Sequence, residues 1–167
     1  MTTLEVLFAP AEFESLRRRD LSETVCVVFD VLRATSSMIT ALDNGAAAIL
    51  PVADIPEALR VRERQPDVLL AGERQGLRIQ AEETGSVPFD LGNSPREFTR
   101  EKVSARTIVM TTTNGTRALR ACAPARRVVA ACFLNLRAAA TFIEKDSPAH
   151  LLVVCSGTVD QAAFEES

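Results

Sequence analysis

A polar segment that could bind an anion lies past the middle of the chain, at residues 111–116 (TTTNGT). It follows the apolar run 107–110 and precedes a helical pattern, so it is predicted to join a buried strand to a helix. Backbone N–H groups at a helix N-terminus lack partners within the helix, and the helix dipole favours negative charge there. Gly115 permits close approach of a ligand, and Thr113 and Thr116 can donate hydroxyl hydrogen bonds. The segment is either an anion site or an ordinary helix cap with a polar loop.

The same arrangement recurs along the chain, because five apolar runs are each followed by polar residues. Asp30 follows the run 25–29, Gly72-Glu73-Arg74 follow 68–71, and residues 111–116 follow 107–110. Asn135 comes after the run 128–132, and Ser156-Gly157-Thr158 come after 151–155. In open α/β sheets, ligands bind beyond the carboxyl ends of the strands. The recurrence therefore predicts one shared crevice at that edge.

Alternating apolar runs and helical patterns predict an α/β fold with a mostly parallel sheet. Strands are predicted near 4–8, 25–29, 48–52, 68–71, 108–110, 128–132 and 151–155. Helices are predicted near 11–18, 35–43, 56–65, 95–102, 116–121 and 136–145. Residues 75–93, rich in Gly, Glu and Pro, are predicted to form a long loop. At 167 residues, the chain (1–167) is predicted to be one domain.

The composition of the chain argues against several classes of function. A hydrophobic content of 47%, 25% charged residues and a net charge of -3 suit a soluble globular protein and argue against a nucleic-acid binder. No apolar stretch approaches the ~20 residues of a membrane span, and no signal peptide is recognisable. The four cysteines form no CxxC pair and are predicted to be buried and reduced, which favours a cytoplasmic protein. The only histidine, His150, precedes a strand, so Ser-His-Asp and Cys-His catalysis are not expected.

Acidic and basic residues in the predicted loops indicate phosphate-ester chemistry. They are Asp30, Glu73, Asp90, Arg33, Arg74 and Arg96. Mg²⁺ prefers one or two carboxylates together with water and phosphate oxygens, and a guanidinium matches a phosphate or carboxylate with two hydrogen bonds. Structural alternatives remain open: Asp30 as a strand-end cap, Glu73 with Arg74 as a surface ion pair, and Asp90 as a turn residue. Asn93 precedes a predicted Ser-Pro helix start and is free to face elsewhere.

These segments together resemble the 2-phosphosulfolactate phosphatase family from about residue 25 to the end. The resemblance is carried by residues 29–36 (FDVLRATS), 72–74 (GER), 89–95 (FDLGNSP) and 111–116, with Asn135 and 155–157 (CSG) fitting the later pattern. It implies a three-layer α/β/α fold. It also implies a Mg²⁺-dependent enzyme that releases phosphate from 2-phospho-3-sulfolactate, giving sulfolactate on the route to coenzyme M.

We therefore predict a Mg²⁺-dependent phosphatase acting on a small anionic phosphorylated hydroxy acid. Asp30 and Glu73 are predicted as metal ligands and catalytic residues, with Asp90 as a third catalytic candidate. The predicted substrate-binding residues are Arg33, Thr35, Arg74, Asn93, Thr112, Thr113, Asn114, Gly115, Thr116, Asn135 and Gly157. The attacking group is left open between a carboxylate such as Asp30 and a water molecule.

Two departures from the family accompany the resemblance. Family members usually continue past residues 164–166, so part of the family fold is expected to be absent here and a sheet edge to be uncovered. The stretch 81–88 looks longer than the family's link into Asp90. Two alternatives follow: an inactive domain that binds an anionic metabolite, and a structural fragment stabilised by a partner chain. No nucleic acid or membrane partner is expected, and a homo-oligomer is left open.

Overall fold

The computed structural model describes residues 2–16, 18–158 and 161–163. The strands are β1 Thr3–Leu7, β2 Thr24–Phe29, β3 Ala48–Pro51, β4 Leu69–Arg74, β5 Leu77–Arg78, β6 Thr107–Thr111, β7 Arg127–Ala131 and β8 His150–Cys155. The α-helices are α1 Phe13–Leu16, α2 Ala34–Asp43, α3 Ile55–Arg64, α4 Ala81–Thr84, α5 Arg100–Val103, α6 Gly115–Ala121 and α7 Leu136–Asp146. Short 3₁₀ turns lie at Pro10–Glu12 and Pro95–Glu97. Every strand predicted from the sequence is present.

The first sheet has the order β1-β8-β2-β7, and all its strands are parallel. Its inner strand β2 is a run of β-branched and other apolar residues, buried along almost its whole length. A parallel strand covered on both faces needs such a continuous apolar run.

The second sheet has the order β3-β6-β4-β5. Its strands are parallel except for β5, which forms an antiparallel hairpin with the end of β4. The predicted α/β class and the mostly parallel pairing are confirmed, with the strands divided between two sheets. The division arises because β2–α2–β3 runs from the first sheet to the second, while β6–α6–β7 runs from the second to the first.

Helices cover both faces of each sheet, as a three-layer α/β/α arrangement requires. In the first sheet, Cys26 and Val28 face a cluster that includes α1 and α6, while Val27 on the opposite face packs with α7. In the second sheet, Met110 packs against α2 and Val109 against α3. The core is therefore split into layers that follow the two-residue alternation of the strands.

Three predicted segments differ from the structure. The helix expected at 11–18 is a 3₁₀ turn followed by the short α1, and Arg17 lies outside the described residues. The helix expected at 95–102 is divided into a 3₁₀ turn and α5, because the chain leaves helical geometry at the buried Phe98. The predicted loop 75–93 contains β5 and α4.

The cysteine prediction is confirmed, since all four cysteines are buried and unbridged. No helix among the described residues has the length and apolar character that a membrane crossing requires.

Candidate active site

A pocket of about 260 Å³ lies where the carboxyl ends of the two sheets meet. It is lined by Asp30, Leu32, Arg33, Glu73, Gln75, Gly76, Asn93, Thr113, Asn114 and Thr158. Four of the five predicted post-strand loops, those after β2, β4, β6 and β8, contribute to it. The fifth, after β7, does not. The predicted shared crevice is thus present, and it is formed by both sheets together.

Asp30 follows the last residue of β2, and its carboxylate is buried at the start of α2. Oδ1 accepts a hydrogen bond of 3.0 Å from the Ala34 N–H, and the Arg33 N–H and the Ser156 side chain also bind the carboxyl group. Burial raises the pKa of Asp30 above its ordinary value, these hydrogen bonds oppose the rise, and the charge of Glu73 adds to it.

Gly115, the first residue of α6, packs directly against the Asp30 carboxylate. A Cβ atom at this position would lie 2.5 Å from the Ala34 Cβ and closer still to Asp30 Oδ2. Only a residue without a side chain allows this close approach of α6 to the end of β2. Gly115, which is predicted to contact substrate, thus brings the loop after β6 beside Asp30.

Glu73 lies near the end of β4 and is 7% exposed. Its Oε1 accepts from the Thr113 N–H and its Oε2 from the Gly76 N–H, both at 2.7 Å. Gly72 has a positive φ of 150°, and a side chain there would collide with the Thr111 backbone of the neighbouring strand. Glu73 is thus a buried carboxylate held by two backbone donors, and the surface ion pair considered from the sequence does not form.

Arg33 and Asn93 supply the other functional groups of the pocket. The Arg33 guanidinium donates to the Gly76 carbonyl oxygen at 2.9 Å and is the one cationic side chain among the described lining residues. Asn93 is 6% exposed, and its Oδ1 is buried without a hydrogen-bond partner in the described part of the chain. The Ser37 hydroxyl fixes the backbone by donating to the Asn93 carbonyl oxygen at 2.9 Å. An unpaired buried amide oxygen beside a pocket is expected to have a ligand as its partner.

Three predicted substrate-binding threonines stabilise the loops instead of lining the pocket. The Thr35 hydroxyl donates to the Asp30 carbonyl oxygen at 2.8 Å and accepts from the Asp30 N–H at 3.0 Å. Thr116 makes the same pair of hydrogen bonds with the Thr112 backbone, at 3.0 and 2.9 Å, and the Thr112 hydroxyl accepts from the Thr116 N–H. All three are buried. They fix the turns that place Asp30, Thr113 and Asn114.

Four further predicted residues also lie outside the pocket lining. Arg74 donates to Thr111, and Asp90 pairs with Arg62 and accepts from the Leu70 N–H at 2.7 Å. Asn135 caps the end of β7 through the Cys132 N–H and the Ala130 carbonyl oxygen. Gly157, at a φ of 64°, packs against Pro10.

The residues assigned to the site from the sequence did not include Leu32, Gln75, Gly76 and Thr158 in the lining, or Ser156 behind it, although Ser156 and Thr158 lie in one of the predicted post-strand loops. Leu32 and Thr158 carry no charge that would mark them. The signal for Ser156 was present, because it follows β8 as directly as Asp30 follows β2.

The pocket's oxygen donors fit a hard divalent cation. No cluster of three or more His, Cys, Asp or Glu occurs among the described residues. Mg²⁺, however, needs only one or two carboxylates when water and phosphate oxygens complete its shell. Asp30 and Glu73 supply two carboxylates, and Asn93 Oδ1 supplies an unpaired neutral oxygen. These three side chains could hold such an ion.

The family model for 2-phosphosulpholactate phosphatase matches residues 11–167. The chain belongs to this family. The match includes all ten residues that line the pocket.

Relatives in the 2-phosphosulfolactate phosphatase family resemble most of this chain. A probable 2-phosphosulfolactate phosphatase from Caldanaerobacter subterraneus subsp. tengcongensis is 43% identical over 156 residues, which cover 92% of this chain and 61% of that protein. Its counterpart from Deinococcus radiodurans is 45% identical over 143 residues, 85% of this chain and 57% of that protein. Another probable 2-phosphosulfolactate phosphatase, from Pseudothermotoga lettingae, is 39% identical over 163 residues, which cover 98% of this chain and 63% of that protein. The chain spans about three fifths of the length of these curated relatives.

Proposed function

We propose that this protein is a Mg²⁺-dependent phosphatase that hydrolyses 2-phospho-3-sulfolactate, or a similar small anionic phosphorylated hydroxy acid, to the hydroxy acid and phosphate. The observation that carries the proposal is the meeting of Asp30, Glu73, Arg33 and Asn93 in one pocket at the carboxyl ends of the strands. The names of the relatives support the same reaction.

The charges of the pocket suit this chemistry once a divalent cation is present. Asp30 and Glu73 carry two negative charges when ionised, and Arg33 carries one positive charge. A phosphate ester would be repelled by the two carboxylates alone. A Mg²⁺ ion held by Asp30, Glu73 and the Asn93 amide oxygen would polarise a phosphoryl oxygen and stabilise the charge that develops in the transition state.

The remaining groups bind and orient the substrate. Arg33 is placed to bind a phosphate, carboxylate or sulfonate oxygen, since a guanidinium presents paired N–H donors to such groups. Thr113 and Asn114 present further polar groups to the pocket, just before the start of α6. With both carboxylates held by backbone N–H donors, little rearrangement would be needed when substrate binds.

An assay of the purified chain tests the proposal. Phosphate release from 2-phospho-3-sulfolactate should require Mg²⁺ and stop with EDTA. Asp30→Asn should lower kcat/KM by about 100-fold or more, because it removes a charge that holds the cation. Asp43→Asn, at the exposed far end of α2, is the matched control and should retain activity.

Calorimetry separates this proposal from an inactive metabolite-binding domain. Binding of the substrate without any phosphate release, unchanged by Asp30→Asn, would support the binding domain and reject the phosphatase.

A further inference from the structure

Ser156 directly follows β8, as Asp30 directly follows the neighbouring strand β2. The two strands are parallel neighbours, and their register pairs Val28 with Val154 and Phe29 with Cys155. The next step along the register pairs Asp30 with Ser156, and the Ser156 N–H continues the ladder by donating to the Phe29 carbonyl oxygen at 2.8 Å.

Strand alternation places both side chains on the face that is covered by α6. Residues two apart in a strand share a face. Cys26 and Val28 in β2, with Leu152 and Val154 in β8, pack in the cluster that contains Ala118 of α6 and Cys122, which directly follows α6. Asp30 and Ser156 are the next members of these two series.

The Ser156 side chain hydrogen-bonds the Asp30 carboxyl group and is itself fully buried, at 0% exposure. It does not line the pocket, so it is not in a position to touch a substrate. It approaches Asp30 from β8, whereas Ala34 and Arg33 approach from α2 and its preceding turn, and Gly115 packs from α6. Among these neighbours, Ser156 is the one that binds the carboxyl group through a side chain.

We propose that Ser156 is the positioning residue that orients the Asp30 carboxylate toward the divalent cation, an inference that rests on the proposed function of Asp30. A carboxylate that ligates a metal is held in its orientation by hydrogen bonds from residues that do not touch the ion, and loss of such a partner typically weakens metal binding by about 10–100-fold. Without the hydroxyl, the side chain of Asp30 keeps its backbone donors but loses the contact from the β8 side. The orientation of the carboxylate is then fixed by fewer hydrogen bonds.

The experiment measures metal binding in the absence of substrate. Mn²⁺, which has an EPR signal when free, is titrated into the metal-free full chain. We expect Ser156→Ala to weaken Mn²⁺ binding by about tenfold or more while far-UV circular dichroism stays unchanged. In the phosphatase assay, the same variant should need a correspondingly higher Mg²⁺ concentration for half-maximal rate.

Ser36→Ala is the matched control. Its hydroxyl donates to the Val31 carbonyl oxygen at 2.7 Å in the same β2–α2 turn, without touching the Asp30 carboxyl group. Mn²⁺ affinity in this variant should stay within about threefold of the wild type, since only a local hydrogen bond worth about 1 kcal/mol is lost.

A second pair of variants keeps the test decisive if Ser156→Ala does not fold. Ser156→Thr and Ser156→Val have nearly the same shape and differ in the hydroxyl, so the ratio of their Mn²⁺ affinities isolates the hydrogen bond. We expect Thr to bind at least fivefold more tightly than Val. Equal affinities, or an unaltered Ser156→Ala beside a wild type that binds Mn²⁺, would overturn the inference and leave the proposed function standing. A wild type that neither binds Mn²⁺ nor releases phosphate would overturn both.

Discussion

At the scale of single residues, Asp30 is the group whose burial lowers the stability of the metal-free folded protein when its carboxylate is ionised. Its carboxylate is buried beside a second carboxylate, Glu73, and burial is the main cause of its raised pKa. A buried charge that is costly without its ligand is typical of a binding residue. The same charge is what would attract a cation into the pocket.

The raised pKa predicts how stability depends on pH in metal-free protein. The folded state holds a proton on Asp30 at higher pH than the unfolded chain does, so the ionised group lowers stability above its folded pKa. This penalty disappears as the pH falls below the unfolded value. At pH 7 in EDTA, Asp30→Asn should therefore melt at a higher temperature than the wild type. The melting temperature should rise by about 2–4 °C for each kcal/mol by which the free energy of unfolding increases. The difference should shrink as the pH falls toward 4.

Thermal melts followed by circular dichroism at several pH values check this prediction. The control is Glu144→Gln, because Glu144 lies on the exposed surface of α7. An Asp30→Asn protein that is less stable than wild type at pH 7 would contradict the expected direction.

Gly115 gives a second prediction at this scale. Gly115→Ala inserts a methyl group between α6 and Asp30, and overpacking of this kind costs about 1–3 kcal/mol. We expect lower stability in urea unfolding together with loss of Mg²⁺-dependent activity, since the displaced group is the Asp30 carboxylate.

Gly85→Ala is the comparison for Gly115→Ala. It sits at a φ of 70° with open space around it, so it should also cost about 1 kcal/mol, through backbone strain. The activity of Gly85→Ala should be unchanged, because Gly85 is not among the lining residues and a methyl group there meets no other atom. Equal loss of activity in both variants would mean that Gly115 acts only through overall stability.

Six of the residues predicted from the sequence line the pocket: Asp30, Arg33, Glu73, Asn93, Thr113 and Asn114. Five of them could be found because they lie at or shortly after the end of a strand, and Asn93 because it precedes the Ser-Pro start of a helical turn. The buried threonines were assigned to substrate for the same reason, and sequence alone does not separate a hydroxyl that closes a turn from one that faces a ligand. The distinction depends on which side of each loop is covered by the helix that follows it. That packing is a tertiary contact, which the local sequence does not specify.

At the scale of elements, the segment between β4 and the Pro95–Glu97 turn is held to the second sheet by Asp90. Its carboxylate pairs with Arg62 of α3 and accepts from the Leu70 N–H of β4. Phe89 and Leu91 on either side of it are buried. The contacts give Asp90 a structural role next to the segment that carries Asn93.

Asp90→Asn tests whether Asp90 also takes part in catalysis. Because its ion pair is partly exposed, we expect a loss of only about 1 kcal/mol in stability. Mn²⁺ affinity should stay close to that of the wild type, and kcat should fall no more than severalfold. A loss of activity as large as that of Asp30→Asn would instead assign Asp90 to the chemistry.

The long, periodic elements were predictable, and the short ones were not. Strands such as β2 and β8 contain continuous apolar runs, and α3 is preceded by Asp54, whose side chain accepts from the Glu57 N–H as a helix cap should. The four-residue helices α1, α4 and α5 have too few residues for a period to be recognised. The helices α1 and α5 depend on buried contacts of Phe13, Leu16 and Val103, whereas α4 buries no side chain and is capped by Gln80 and Glu83.

At the scale of the whole molecule, the site joins the two sheets. Asp30 and Thr158 come from the first sheet, while Glu73, Thr113 and Asn114 come from the second. The helices α2 and α6 each contact strands of both sheets, and they also contact each other. A ligand in the pocket therefore stabilises the packing of one sheet against the other.

We expect Mg²⁺ to raise the melting temperature of the whole protein in one cooperative transition, by an amount that grows with the logarithm of its concentration above Kd. Hydrogen exchange should show added protection in β2 and β6 alike. Protection confined to one sheet, or two separate melting transitions, would contradict this coupling. In Asp30→Asn, the Mg²⁺-dependent rise should be much smaller.

The division into two sheets could not be predicted from the sequence. The apolar runs show that strands exist and that most are buried on both faces, but not which strands are neighbours. The strands β3 and β7 lie at sheet edges because α2 and α6 carry the chain from one sheet to the other. The packing of residues such as Met38 in α2 and Ala118 in α6 decides where these helices lie. These contacts are distant in the chain.

The exchange of strands between the sheets has a consequence for dividing the polypeptide. A cut in the exposed stretch between α3 and β4 would leave β1, β2 and β3 on one piece and β4 to β8 on the other. Each sheet draws strands from both pieces, so neither piece contains a complete sheet or both acidic side chains. Recovery of the proposed phosphatase activity in a mixture of the two pieces would report their reassembly, so the chain could be tested as a split reporter.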